Sequence, residues 1–150
     1  MTMPEHSYLP YNFLEERFRA RKINFLAPVP RHKHSCYELF YILDGEGTFF
    51  MDCQSFHIQK HSLFLVAPGR IHGLEYTNNL QAYLLKFDAS IFGADSFLNQ
   101  MSVFNFDLVQ MKGKENTLIH DTLSTLEGEY STNKALKEST ISALVQILII

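Results

Sequence analysis

Only two cysteines, Cys36 and Cys53, occur in the 150 residues, too few for a disulfide framework to stand in for a hydrophobic core. No uncharged apolar run approaches the ~20 residues that a membrane-spanning helix needs. The first thirty residues carry Pro4, Pro10, Glu15, Glu16 and an arginine-rich stretch, and lack the unbroken apolar segment of a secretory signal. Positive charge is not in excess either. Thirteen Lys+Arg against sixteen Asp+Glu leave a formal charge of -3, a poor match to a phosphate backbone, which is gripped by clustered cations. These shortages argue against secretion, membrane spanning and unaided nucleic-acid binding, and a cytoplasmic location is expected. What the chain does have is 46% hydrophobic and 13% aromatic residues, enough for the core of one ordinary domain.

Residues 1–22 read as a polar N-terminal arm with a basic patch of Arg17, Arg19, Arg21 and Lys22. Residues 23–112 read as a barrel of short strands and their trailing connection. Tyr37–Leu43 is rich in aromatic and branched residues and runs into Asp44-Gly45-Glu46-Gly47, which predicts a hairpin turn with Thr48–Met51 returning. Phe56–Ile58 and Leu63–Val66 follow, the latter closed by Pro68-Gly69, and Ile71–Tyr76 and Ala82–Phe87 complete a set whose close spacing signals a barrel or sandwich. Residues 88–115 mix Phe92, Phe97, Phe104 and Phe106 with Gly93 and Asn99 and read as a connection with one short helix.

A helical segment is expected over 113–150. Ile119, Leu123, Leu126 and Tyr130 recur at steps of four, three and four, which places them on one stripe. Ser131, Thr132 and Asn133 offer caps for a second helix, whose stripe is Ile141, Leu144, Val145 and Leu148. Its other side carries Ala143, Ile147 and Ile150, so one face against the barrel does not bury everything. Leu144, Ile147 and Leu148 are therefore the candidates for a homodimer interface. The chain stops at Ile150 inside this apolar run, with no Gly, Pro or basic last turn, and a further domain is expected beyond it.

The chemistry concentrates in His32-Lys33-His34-Ser35-Cys36-Tyr37-Glu38, with His72 after the second turn. On an extended backbone His32, His34, Glu38, Phe40 and Ile42 share parity and point the same way. Two imidazoles and a carboxylate then project into the barrel, and His72 brings a third imidazole. Three neutral nitrogens and one carboxylate oxygen suit a divalent metal such as Zn, Fe, Mn or Ni. The same four residues are equally suited to hydrogen bonding within the barrel or to a bound effector, with Phe40 and Tyr83 as further lining candidates. Cys36 reads as a small buried hydrophobe, and His57 and His61 as exposed or turn residues.

His32-x-His34-x3-Glu38-x6-Gly45 resembles the first motif of the cupin superfamily, and Gly69-x2-His72 resembles the core of the second. Leu26, His61, Ala67 and Tyr76 depart from that pattern at positions that shape turns. The run from Tyr37 to Gly47, the stretch Ser62–Gly69, the Leu84-Leu85-Lys86-Phe87 strand and the closing helices are similar to the N-terminal sensor domain of AraC-type transcriptional regulators. The resemblance covers about Arg31 to Ile150. It implies a mainly β fold, a cupin-like double-stranded β-barrel (jelly roll) followed by two C-terminal α-helices. It further implies a small-molecule effector in the barrel, dimerisation through the helices, no catalytic residues, and a DNA-binding domain after residue 150. Pocket polarity suits a small polar effector such as a sugar, with a hydrophobic effector left open as the alternative. The competing expectation is a stand-alone metal-dependent cupin enzyme, a dioxygenase or isomerase.

Overall fold

The computed structural model describes residues 18–88 and 108–131. Residues 1–17 of the expected arm, residues 89–107 of the expected connection and the second helix with Leu144, Ile147 and Leu148 lie outside the described residues. Among the described residues there are seven strands and one helix: β1 Phe18–Phe25, β2 Val29–His32, β3 Tyr37–Met51, β4 Gln54–Gln59, β5 Ser62–Val66, β6 His72–Phe87, β7 Val109–Gln110 and α1 Gly113–Ser131. The sheet order is β1-β6-β3-β5-β7, with β2 also on β6 and β4 also on β3. Every pairing is antiparallel. The fold is the expected cupin-like barrel with a helix after it. Its first strand begins at Phe18, so residues 18–22 belong to the sheet rather than to the arm.

Two long strands replace four expected short ones. β3 and β6 pair end to end, from Tyr37↔Phe87 to Met51↔His72, with register shifts around Asp44. Asp44-Gly45-Glu46-Gly47 is thus a bend inside β3 and not a hairpin. Gly45 sits at φ +78 opposite Asn79, itself at φ 51, and a Cβ there would lie 2.2 Å from the Asn79 carbonyl oxygen. The glycine chemistry that predicts a turn is used here to kink a continuous strand. The reversal comes at Asp52-Cys53, both at positive φ, a two-residue turn without the usual Asn-Gly or Asp-Gly signature. Asp52 makes it hold: its backbone N–H donates to the Ile71 carbonyl at 3.0 Å. Its carboxylate accepts the Ile71 N–H at 3.2 Å and pairs with Arg70.

Strand alternation then divides the apolar residues between two cores. Phe40, Ile42, Phe49, Phe64, Leu74 and Leu84 face into the barrel. Tyr37, Leu39, Tyr41, Tyr83, Leu85 and Phe87 face outward and are covered by Ile119, Leu123 and Leu126 of α1. The helix stripe read from the sequence is the stripe that packs, with Tyr130 half-buried at its end. Full burial of a leucine such as Leu126 contributes roughly 2–3 kcal/mol, so this outer core is a substantial share of the fold's stability.

Candidate functional site

Two turns assemble the site. Residues 33–36 leave the strand conformation between β2 and β3, so simple alternation does not aim His34. A backbone bond does: the Gly69 N–H donates to the His34 carbonyl at 2.9 Å, tying the Ala67–Arg70 turn to this loop. Gly69 takes φ +81 in open space, so the backbone angle and not crowding demands glycine. The turn delivers His72 to the start of β6, directly across from His32 of β2. Glu38, near the start of β3, points in from the opposite wall.

His32, His34, Glu38 and His72 each offer one donor atom, and these atoms all lie within 4.8 Å of one another. The ring centroids of His32 and His72 are 4.4 Å apart, and those of His34 and His72 are 4.8 Å apart. Glu38 and His72 are buried, and only 5% of the His34 side chain is exposed. Each imidazole is oriented from behind. Nδ1 of His32 donates to the Pro30 carbonyl at 2.8 Å, Nδ1 of His72 to the Arg70 carbonyl at 2.9 Å, and Nδ1 of His34 to the Cys36 carbonyl at 3.2 Å. A carbonyl only accepts, so in each neutral ring the proton sits on Nδ1 and the Nε2 lone pair is left for the interior.

Electrostatics sharpen that arrangement. Burial pushes His34 down to about 4 and moves His32 in the same direction, so both are neutral at pH 7. Burial alone would raise Glu38. The hydrogen bond from His72 and the neighbouring His34, Lys86 and His72 groups outweigh it and hold the carboxyl at about 2. Glu38 Oε1 faces Nε2 of both His34 and His72, the latter at 3.2 Å. With Nδ1–H of each ring committed to a carbonyl, an additional cation must stand between those nitrogens and the carboxylate. A second proton on a ring or a divalent metal would supply it. His34 offers no such proton near neutral pH. The donor set, its tautomers and its backing hydrogen bonds therefore fit a metal ion.

Beside the cluster lies a cavity of about 260 Å³, with Phe25, Val29, Phe40, Phe49, Leu74 and Leu84 among its walls and His32, Glu38, His72 and Lys86 at its polar end. Phe40 lines it as expected. Tyr83 does not: it stands across from Tyr41 on the outer face, with its ring 6.0 Å from that of His120 on α1. Cys36 is buried, and burial followed by the nearby Glu38 charge raises its thiol to about 12, so it packs as a neutral hydrophobe. His57 is exposed on β4 and His61 occupies a turn at φ 73. Sequence reading passed over Lys86. Its parity with Leu84 was the available signal, but which face that parity selects depends on pairing with β3.

Comparison with known proteins settles the family. Residues 12–144 match the AraC-like ligand binding domain. The chain belongs to that family. A stretch of 59 residues is 29% identical to an uncharacterized HTH-type transcriptional regulator, YfiF, of Bacillus subtilis, and covers 39% of this chain and 19% of that protein. Among solved structures, an apo variant of ToxT from Vibrio cholerae shares the fold at a TM-score of 0.55 and 13% identity, over 87% of this chain and 54% of that one. ToxT bound to (E)-4-(8-methylnaphthalen-1-yl)but-3-enoic acid gives a TM-score of 0.55 at 9% identity, over 86% of this chain and 54% of that one. The chain thus spans about a fifth of the regulator it matches and about half of ToxT. Among the described residues, no helix is long and apolar enough to cross a membrane.

Proposed function

We propose that this ligand-binding domain is the effector-sensing part of a cytoplasmic AraC-type transcriptional regulator, that it pairs two subunits, and that DNA is bound by a separate domain. One observation carries the sensing role. Alternate residues of the same strands face the cavity and the helix: Glu38 and Phe40 inward, Tyr37, Leu39 and Tyr41 outward under α1. A molecule that moves β3 or β6 from within therefore reaches the helical segment without an intermediary. Such coupling needs a ligand with different affinity for two arrangements of strand and helix.

His32, His34, Glu38 and His72 would hold a divalent ion such as Zn, Fe, Mn or Ni. When bound, the ion supplies a Lewis-acidic point for an oxygen of the effector. The chain's own residues orient the imidazoles and keep His32 and His34 neutral. The family match favours a sensor over a stand-alone cupin enzyme. Leu144, Ile147 and Leu148 are the residues assigned to the subunit contact, and Ile147→Glu should yield monomers by sedimentation.

The sensing role is tested by screening small metabolites for thermal stabilisation of the wild type and of Leu74→Trp, whose larger ring fills the cavity. Hits lost in the variant identify barrel ligands, whereas hits that all survive in it overturn the assignment of the cavity. Sequence-dependent, saturable DNA binding by residues 1–150 alone would overturn the division of labour.

A further inference from the structure

We propose that the barrel cavity is built for a small organic acid, its apolar body against Phe25, Phe40, Leu74 and Leu84 and its carboxylate held by Lys86. The inference rests on reading the barrel as a ligand pocket, and it decides between the sugar-like and hydrophobic effectors that the sequence leaves open. The walls are aromatic and aliphatic over most of their extent. Sugar hydroxyls against such walls would lose water without gaining partners, whereas a hydrocarbon body loses nothing.

Lys86 marks the polar end of the cavity. Lys86 follows Leu84 on the inner face of β6 and stands opposite both Glu38 of β3 and Arg19 of β1. Among the described residues no carboxylate forms an ion pair with Lys86. Oε1 of Glu38 is engaged by His34 and His72 instead. Lys86 and Glu38 are the two charged residues of the lining, and with Oε1 of Glu38 already engaged the lysine is left to face an anion, its field concentrated by low-dielectric walls. An anion gains from it, and a neutral polar molecule does not. The volume of about 260 Å³ falls below the ~300–1,000 Å³ of drug-sized pockets, so the acid is small.

The test titrates benzoate, phenylacetate and hexanoate, each beside its primary amide, into the 150-residue chain. Binding is read by NMR at Phe40, Leu74 and Leu84, with a chelator present so that Lys86 alone faces the anion. The acids should bind roughly tenfold tighter than the amides, as expected for a charge-assisted contact. Lys86→Met should erase that preference and leave amide affinity within about twofold. In the wild type the preference should also shrink at high salt, a reading that needs no folded variant. Acids and amides binding alike, or a preference that survives both Lys86→Met and salt, overturns the acid class and leaves the pocket standing. Titrations that shift none of the three reporter residues overturn both.

Discussion

The two faces of β3 and β6 are made from the same strands and obey opposite rules. Outside, Tyr37 stacks on Phe87 at 5.3 Å, and Ile119, Leu123 and Leu126 close over the apolar strand face. Inside, a carboxylate and three imidazoles share the barrel with an open cavity. Close packing holds a fold together, while a buried ionic cluster beside unfilled space does little for stability on its own. The contrast separates the face that maintains the structure from the face that meets a ligand.

The outer face should give the largest effect on stability. Leu126→Ala deletes a fully buried side chain at the helix–barrel contact and should cost about 2–5 kcal/mol by chemical denaturation. Zinc affinity of the folded fraction should stay unchanged. A variant that loses both together would show that the two faces are one cooperative unit and break the contrast.

Inside, the largest effect falls on metal affinity. His34→Ala or Glu38→Ala should weaken zinc binding by about 100-fold or more, measured by competition with a chromophoric chelator, while circular dichroism shows the fold retained. Proton competition should set in below the usual histidine range, because burial holds His34 at about 4 and lowers His32. Wild type that binds no zinc at any pH would leave the cluster to proton-mediated hydrogen bonding and effector contact.

How far the sequence shows this site depends on which contacts are local. Glu38, Phe40 and Ile42 lie in a regular strand, and period-two alternation assigns them correctly. His32 and His34 do reach the cluster, but through the loop over 33–36 and the Gly69–His34 backbone bond, which no spacing rule contains. Tyr83 was misplaced for a plain reason. Ala82, Tyr83, Leu84 and Leu85 are all apolar, so the strand does not reveal its inner face until Tyr83 is paired with Tyr41. Lys86 was hidden by the same ambiguity. The expected hairpin at Asp44–Gly47 failed because positive φ at Gly45 serves a bend as well as a reversal, and only the partner strand distinguishes them.

A smaller inner-face effect is the response to acid. His34 has a folded value near 4 against an ordinary 6.5, so the unfolded chain takes up its proton first. The stability this site contributes is therefore complete above about pH 6.5 and declines between there and 4, by at most ~1.4 kcal/mol per pH unit. Glu38, held near 2 against 4.5, adds its own loss as the pH falls from 4.5 through 2. Denaturation of the metal-free chain across this range should show both stages, and His34→Gln should flatten the first. An unchanged slope in that variant would place the titrating group elsewhere.

The smallest effect distinguishes the two cysteines and probes the boundary between the faces. Cys53 sits exposed in the turn at φ 71, whereas Cys36 is 3% exposed, with Sγ 3.4 Å from Nδ1 of His34. The thiolate is the reactive form, and at Cys36 burial and the Glu38 charge both oppose it. A thiol reagent should therefore label the exposed Cys53 first and Cys36 only as fast as the barrel opens. Zinc should slow Cys36 further without affecting Cys53, because ligation of His34 fixes the loop that carries Cys36. Equal rates at the two sites would mean that the loop opens freely, and the inner face would then lack the rigidity that a preformed site requires.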